Sequence, residues 1–370
     1  MENNTNSTNN LPVNTVKTQL FLAYYAVLLV TTVLGNTLVC LAIYLDRRLR
    51  SSTNWFVASL AVSDLLYGLV GLPFRIAQTS GTVFELRECY IWVWVDMVCA
   101  AASIANLALI SIDRYIKITK PFQYHVVLTQ PRAFIAVGSI WVYSGVLASF
   151  ALVRWPGAVG IVHYKGSCIN FNEVFYTVAM IVAFILPLVI LVINYAKVFV
   201  EALKQFNKMV EMTAQHSVEK GRHNSIIKDF KATKTLAVVI GTFTICWCPF
   251  FILFTIAQYK PSFLVKLPAP WNEITISMFF FVLPNVNSAL NPFIYAYFNN
   301  DFRRAFKKIM TWSVQSSSWT AQTEVSQEDS GRRLSAAFSS FLHSKYSRPG
   351  RHSGQNNSLF QNNNPNEVRD

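Results

Sequence analysis

Hydrophobic residues in this chain gather into runs too long for the core of a soluble domain. Apolar stretches cover about 20–45, 54–78, 87–118, 132–153, 173–202, 233–258 and 272–297. Each is long enough to cross a bilayer as a helix, so the pattern predicts an all-α membrane protein, a seven-transmembrane helix bundle over 20–298. Within the third run, Asp96, Ala100, Ser103, Leu107, Ile110 and Arg114 recur at steps of three or four, and therefore share one helix face. At about 1.5 Å per residue the charged ends of that stripe lie roughly 27 Å apart, close to the thickness of a hydrocarbon core. One helix then carries an acid near one membrane surface and the Asp113-Arg114 pair at the other. Ionisable groups at membrane depth are costly and mark function. The stripe points to a ligand site on one side and a partner site on the other.

Composition agrees: 52% of the 370 residues are hydrophobic and 14% are charged, less charge than a soluble protein carries. A net charge of +13 would suit nucleic acid, but its placement argues against such a partner. Arg47, Arg48 and Arg50 follow the first run, and Arg132 precedes the fourth. Lys197, Lys204, Lys208, Lys220, Arg222, Lys228, Lys231 and Lys234 surround a short basic gap at about 204–228. Arg303, Arg304, Lys307 and Lys308 follow the seventh. If the runs alternate across the membrane, all of these fall on one side, which the positive-inside rule assigns to the cytoplasm. The expectation is a multi-pass plasma-membrane protein with an extracellular amino terminus and a cytoplasmic carboxyl terminus.

Residues 1–19 form a polar outer tail without a cleavage pattern, so the first run reads as a signal anchor. Asn3 and Asn6 head glycosylation sequons there. Of the six cysteines, Cys40, Cys99, Cys246 and Cys248 lie inside runs. Cys89 and Cys168 fall in outer segments, where they form a bridge or stay as two free thiols. After the seventh run, Asn299, Asn300 and Asp301 offer helix caps. Phe302, Phe306, Ile309 and Met310 then alternate with the basic residues, which predicts an amphipathic helix over 299–312 lying on membrane lipid, with Trp312 as an interfacial anchor. Residues 313–370, rich in Ser, Asn and Gln, read as a disordered cytoplasmic tail. The histidines, at 125, 163, 216, 223, 343 and 352, all sit in loops or tails. With no catalytic cluster inside the runs, an enzyme is not expected; a transporter would want inverted repeats or broken helices.

The chain resembles the rhodopsin-like (class A) G-protein-coupled receptors. The resemblance is carried by Gly35-Asn36, Leu60–Asp64, Cys89, Asp113–Tyr115, Trp141, Pro187, Tyr195, Phe243–Phe251 and Asn291–Tyr295. Trp92, Asp96 and Cys99, with the C-W-C-P-F-F of the sixth run, are similar to the biogenic-amine receptors. The resemblance implies a receptor for a small cationic amine that signals through heterotrimeric G proteins. The chemistry fits: a protonated amine needs a carboxylate, and Asp96 is the acid in the outer half of the third run. Trp247, Phe250, Phe251 and Phe254 recur about one turn apart and could surround the ammonium and a ring, or could be core packing. Met97, Ala100, Ala179, Ala183 and Asn285 complete the implied ligand set.

The sequence departs from the amine pattern in places. Asn285 stands where those receptors usually place a tyrosine, and Val282 and Pro284 where they place a tryptophan and a glycine. Ala179, Met180 and Ala183 replace the serines that hold a catechol, which disfavours dopamine and noradrenaline. Arg75, near the outer end of the second run, could snorkel to the surface, neutralise Asp96 or bind a ligand carboxylate. A class A receptor for a peptide, lipid or amino-acid-like ligand is the second reading. No lysine lies between Trp271 and Tyr297, so a retinal Schiff base is excluded.

Asp64 is an acid in an apolar run, and the family fold would gather Asn36, Ser103, Asn287, Ser288 and Asn291 around it. By resemblance this group holds sodium as an allosteric ion, chiefly through Asp64, Ser103, Asn287 and Asn291; a plain hydrogen-bond network is the other reading. No other cofactor is expected. Arg114 has Asp113 and Asp229 as candidate partners, and a pair with Asp229 would hold the third and sixth helices together. Pro249 gives the sixth helix a place to bend. Tyr195, Pro292 and Tyr295 belong to the implied switch, with Tyr115 completing the D-R-Y triplet. Phe122, after Pro121, is the implied apolar contact to a G protein, with the stimulatory class favoured. Ser335, Ser339 and Ser340 are candidate phosphorylation sites for receptor kinases and arrestin.

Overall fold

The structure, a computed structural model, describes residues 11–164, 167–214, 220–260, 262–263, 266, 268 and 270–311. Asn3, Asn6, Trp312 and the tail serines lie outside them. So does the side chain of Asp229.

Among the described residues, seven helices are long and apolar enough to cross a membrane. They are α1 (Leu11–Leu45), α2 (Ser52–Thr79), α3 (Leu86–Thr119), α5 (Gln130–Ala151), α6 (Glu173–Ala179 continued by Met180–Ile185 and Leu186–Ala214), α7 (Lys220–Tyr259) and α8 (Trp271–Phe298). Shorter helices among the described residues include α4 (Pro121–Val127), between α3 and α5, and α9 over 300–311. Helix starts follow local capping chemistry. The Ser51 hydroxyl accepts from the Asn54 amide at α2, and Glu85 and Glu88 form a reciprocal capping box at α3. Proline occupies the first turn of α4 and α5, where its missing N–H costs nothing.

The observed helices overrun the apolar runs at several ends. α1 begins at Leu11, ahead of residue 20. The basic gap expected over 204–228 is largely helical, because α6 continues to Ala214 and α7 starts at Lys220. Residues in an aqueous helix extension need not be apolar, so the end of hydrophobicity does not mark the end of the helix.

A further pattern punctuates three spans. α2, α6 and α8 each contain one wide π-helical turn, at Tyr67–Gly71, Met180–Ile185 and Ser277–Val282. Each is followed at once by Leu-Pro: Leu72-Pro73, Leu186-Pro187 and Leu283-Pro284. A proline ring clashes with the carbonyl four residues earlier and offers it no N–H. A wide turn just before the proline absorbs that misfit and rotates the helix face beyond it.

α3 runs through the middle of the bundle, against α2, α5 and α6. In lipid, close packing rather than release from water joins helices. Small residues permit it: a Cβ on Gly35 would lie 2.8 Å from Pro292 Cγ, so α1 and α8 approach as only glycine allows. The main core joins Val39, Phe56, Leu60, Leu107, Ile110, Phe243 and Ile294, and Phe302, Ala305 and Phe306 of α9 pack into it. Arg303, Arg304, Lys307 and Lys308 are exposed on the other face of α9, as the amphipathic pattern requires. At the opposite end of the bundle, β1 (Gly160–Tyr164) and β2 (Ser167–Phe171) pair antiparallel, with His163 opposite Cys168. Cys168 is disulfide-bonded to Cys89 at the start of α3, with Cα atoms 5.3 Å apart. The bridge fastens the hairpin to the bundle.

Candidate ligand cavity and switch

A cavity of about 530 Å³ lies at the disulfide end of the bundle. Trp92, Asp96, Met97 and Ala100 of α3 line it, with Ala179 and Ala183 of α6 and Trp247, Phe250, Phe251 and Phe254 of α7. Cys168 and Asn170 of the hairpin also reach it, and the Asn170 amide donates to the Ala151 carbonyl at 2.9 Å. The walls are aromatic and interlocked. Phe250 meets Trp247 edge-on at 5.7 Å and stacks on Phe254 at 5.4 Å, while Phe251 stacks on Phe184 at 3.9 Å. The carboxylate of Asp96 has no hydrogen-bond or ion-pair partner among the described residues.

Asn285 does not line this cavity. It is buried, its amide donates to the Phe281 carbonyl at 2.6 Å, and its oxygen accepts from the Tyr67 phenol. It borders a separate void of about 20 Å³ with Asp96, Cys99, Ser103, Trp247, Asn287 and Ser288. The wide turn Ser277–Val282 accounts for this placement. It directs Phe280 and Phe281 to the cavity wall and leaves Asn285, beyond Leu283-Pro284, facing Tyr67. Arg75 does not reach for the membrane surface. It is half-buried, lines the cavity, and lies over the Trp92 ring at 4.5 Å, where a cation–π contact holds it.

Below the cavity, polar side chains tie α8 to α1 and α2. The Asn291 amide donates to Asp64 Oδ2 at 2.8 Å, and the Asn36 amide donates to the Ser288 carbonyl at 2.9 Å. Ser63, next to Asp64, shares a 3.1 Å hydrogen bond with Ser103. Asp64 is fully buried, yet its Oδ1 has no partner, and neither has Asn36 Oδ1. Buried acceptors left unpaired are costly, and a water donor or a small cation satisfies them. The residues present therefore fit a small hard cation.

At the far end, Asp113 is engaged by the short helix and by α2: Tyr124 donates to one carboxylate oxygen at 2.9 Å and Thr53 to the other at 2.5 Å. Arg114 makes no ion pair among the described residues, and its Nε is buried without a partner. It borders a void of about 30 Å³ with Thr235, Leu236 and Val239 of α7 and Tyr295 of α8. The Tyr195 phenol donates to the Thr233 carbonyl at 2.6 Å, joining α6 to α7. Tyr295 is buried and stacked on Phe302 at 5.4 Å. Phe122 is 97% exposed on α4, a large apolar side chain with nothing to cover it within the bundle.

Residues 35–295 match the family described as 7 transmembrane receptor (rhodopsin family). The chain belongs to that family. It is a multi-pass receptor of the plasma membrane, and its relatives are receptors, not enzymes. A D(5)-like dopamine receptor from Takifugu rubripes is 36% identical over 315 residues, which are 80% of this chain and 67% of that one. A D(1C) dopamine receptor from Xenopus laevis is 36% identical over 310 residues, 77% of this chain and 66% of its own length. The histamine H2 receptor of Homo sapiens is 37% identical over 295 residues, 77% of each chain.

Proposed function

We propose that this receptor is activated by a small ligand carrying a protonated amine, which it binds from the extracellular side, and that it signals through a heterotrimeric G protein. One observation carries the reading: Asp96 presents an unpaired carboxylate to an aromatic-walled cavity of about 530 Å³. An ammonium there meets the charge in a medium of low dielectric, where the attraction is stronger than in water. Trp247 and Phe251 offer ring faces to the cation and to the ligand's frame. The dopamine and histamine receptors among its relatives support an amine. Ala179 and Ala183 offer no hydroxyl to a catechol, so the ligand is an amine without one.

The orientation follows from charge. In this reading the Arg114 end, flanked by the basic residues around α1, α6, α7 and α9, faces the cytoplasm and the amino terminus lies outside, which the positive-inside rule supports. In this reading the agonist favours an arrangement in which α7 bends at Pro249 and swings away from α3. Tyr195 then leaves the Thr233 carbonyl, and the void beside Arg114 opens to admit the G protein. Phe122 is placed to insert into that partner, with the stimulatory class favoured. Receptor kinases and arrestin would act on Ser335, Ser339 and Ser340. Sodium, held by Asp64, Asn291, Ser103 and Asn287, would favour the closed arrangement by neutralising the buried carboxylate.

The test is a panel of monoamines and imidazole amines applied to cells expressing the full chain, read by both cyclic AMP and calcium. An amine-evoked response absent from untransfected cells is expected. A receptor at the surface that ignores every amine, yet answers a peptide or a neutral lipid, would overturn the reading.

A further inference from the structure

The cavity wall carries two opposite charges rather than one. Arg75 and Asp96 both face the same space, and their charges act on one another. They do not close into an ion pair, so neither group has consumed the other's hydrogen-bonding capacity. The guanidinium carbon lies 4.5 Å from the centroid of the Trp92 ring, and Nε is buried without an acceptor. Glu173, the other acid on the lining, is exposed at the cavity mouth. The inner wall is therefore close to neutral, with separated plus and minus ends. The Tyr67 phenol oxygen meets the Arg75 side chain but carries no charge, so a ligand with a single positive charge would satisfy Asp96 and leave the guanidinium without an anionic partner, which is costly. A ligand with both charges satisfies both groups and adds no net charge to the site.

We infer that the native ligand is an amino acid rather than a simple amine, with its ammonium at Asp96, its carboxylate at Arg75, and an apolar or aromatic side chain among Trp247, Phe251 and Phe254. A carboxylate is the group that a planar guanidinium fork recognises with two parallel hydrogen bonds. The inference rests on the amine reading, since Asp96 takes the ammonium in both, and adds the second charge.

The experiment measures thermal stabilisation of the purified full-length receptor by matched pairs: phenylalanine and phenethylamine, tyrosine and tyramine, tryptophan and tryptamine, histidine and histamine. The expected result is at least one pair in which the amino acid stabilises the wild type at a concentration about tenfold or more below its amine. Arg75→Gln should abolish that advantage and let the amine stabilise at a lower concentration than in the wild type, because the positive charge beside Asp96 is gone. Arg75→Lys, which keeps the charge but loses the fork, should weaken the amino acid and spare the amine; it decides the matter if Arg75→Gln does not fold. The inference is overturned if amines match or outrank amino acids in every pair, if no amino acid stabilises the wild type, or if the Arg75 variants shift both members of a pair equally. Those results leave the amine reading untouched. That reading fails separately, if Asp96→Asn retains wild-type affinity for amines.

Discussion

The Tyr124 phenol donates to Asp113 Oδ1 at 2.9 Å, so the acid preceding Arg114 is held by the helix between α3 and α5. With Thr53 on the other oxygen, both oxygens of Asp113 are occupied, and Arg114 is left facing the void beside Tyr295. Helix α4, which also displays Phe122, is thereby fastened to the base of α3.

Tyr124→Phe removes the donor and keeps the ring. A hydrogen bond to a charged group contributes about 1.5–3 kcal/mol, so the variant should melt a few degrees lower, with agonist affinity little changed. Burial, and then the Asp113 charge, pushes the Tyr124 phenol up to about 12. Its folded value lies above the ordinary 10.0, so the neutral donor is favoured in the folded state. The contribution is complete below pH 10 and is lost only as pH rises through about 12. The stability difference between wild type and Tyr124→Phe should therefore be flat across neutral pH. A difference that changes between pH 6 and 8 would contradict this assignment.

Gly35→Ala tests the close approach of α1 and α8. The added Cβ would sit 2.8 Å from Pro292 Cγ and 3.0 Å from Pro292 Cβ, and a proline ring cannot rotate away. Overpacking of this kind costs about 1–3 kcal/mol. Surface expression and melting temperature should both fall, while Gly138→Ala, whose Cβ meets nothing within 4 Å, should leave them unchanged. Equal behaviour of the two variants would mean that the contact carries no stability.

Asp64→Asn tests the buried cation site. If sodium prefers the closed bundle, agonist affinity should fall as sodium rises, and a bulky organic cation at equal ionic strength should have little effect. The variant should lose the sodium dependence, because a neutral amide supplies no charge to hold the ion. Equal effects of both salts, or persistence of the sodium effect in the variant, would make Asp64 a hydrogen-bonding residue alone.

The seven spans were legible because a lipid-facing helix must be apolar along its whole length, and each observed span coincides with a run in the sequence. The stripe from Asp96 to Arg114 was legible because 3.6-residue periodicity survives in any continuous helix. The same arithmetic fails wherever the period changes. Asn285 was expected among the ligand contacts, but the wide turn at Ser277–Val282 rotates the face that follows it. The signal was present in the repeated Leu-Pro of α2, α6 and α8, which marks where straight-helix counting stops. Arg75 could have snorkelled on reach alone; its place in the cavity depends on Trp92, a partner on another helix. The hairpin at 160–171 left no clear trace, since two five-residue strands are too short for a periodic signal. Of the two candidate partners of Arg114, Asp113 is held by Thr53 and Tyr124, which come from elements the local sequence cannot bring together, and the side chain of Asp229 lies outside the described residues.

Whether Asp96 anchors a ligand's ammonium is read from the dose–response curve of Asp96→Asn at matched surface expression. Removing one partner of a desolvated charge pair costs about 2–5 kcal/mol, which is a loss of affinity of roughly 30-fold to several thousandfold. The half-maximal agonist concentration should rise by at least that lower factor, with the receptor still present at the surface. A curve that overlies the wild type would remove the Asp96 carboxylate from the ligand site.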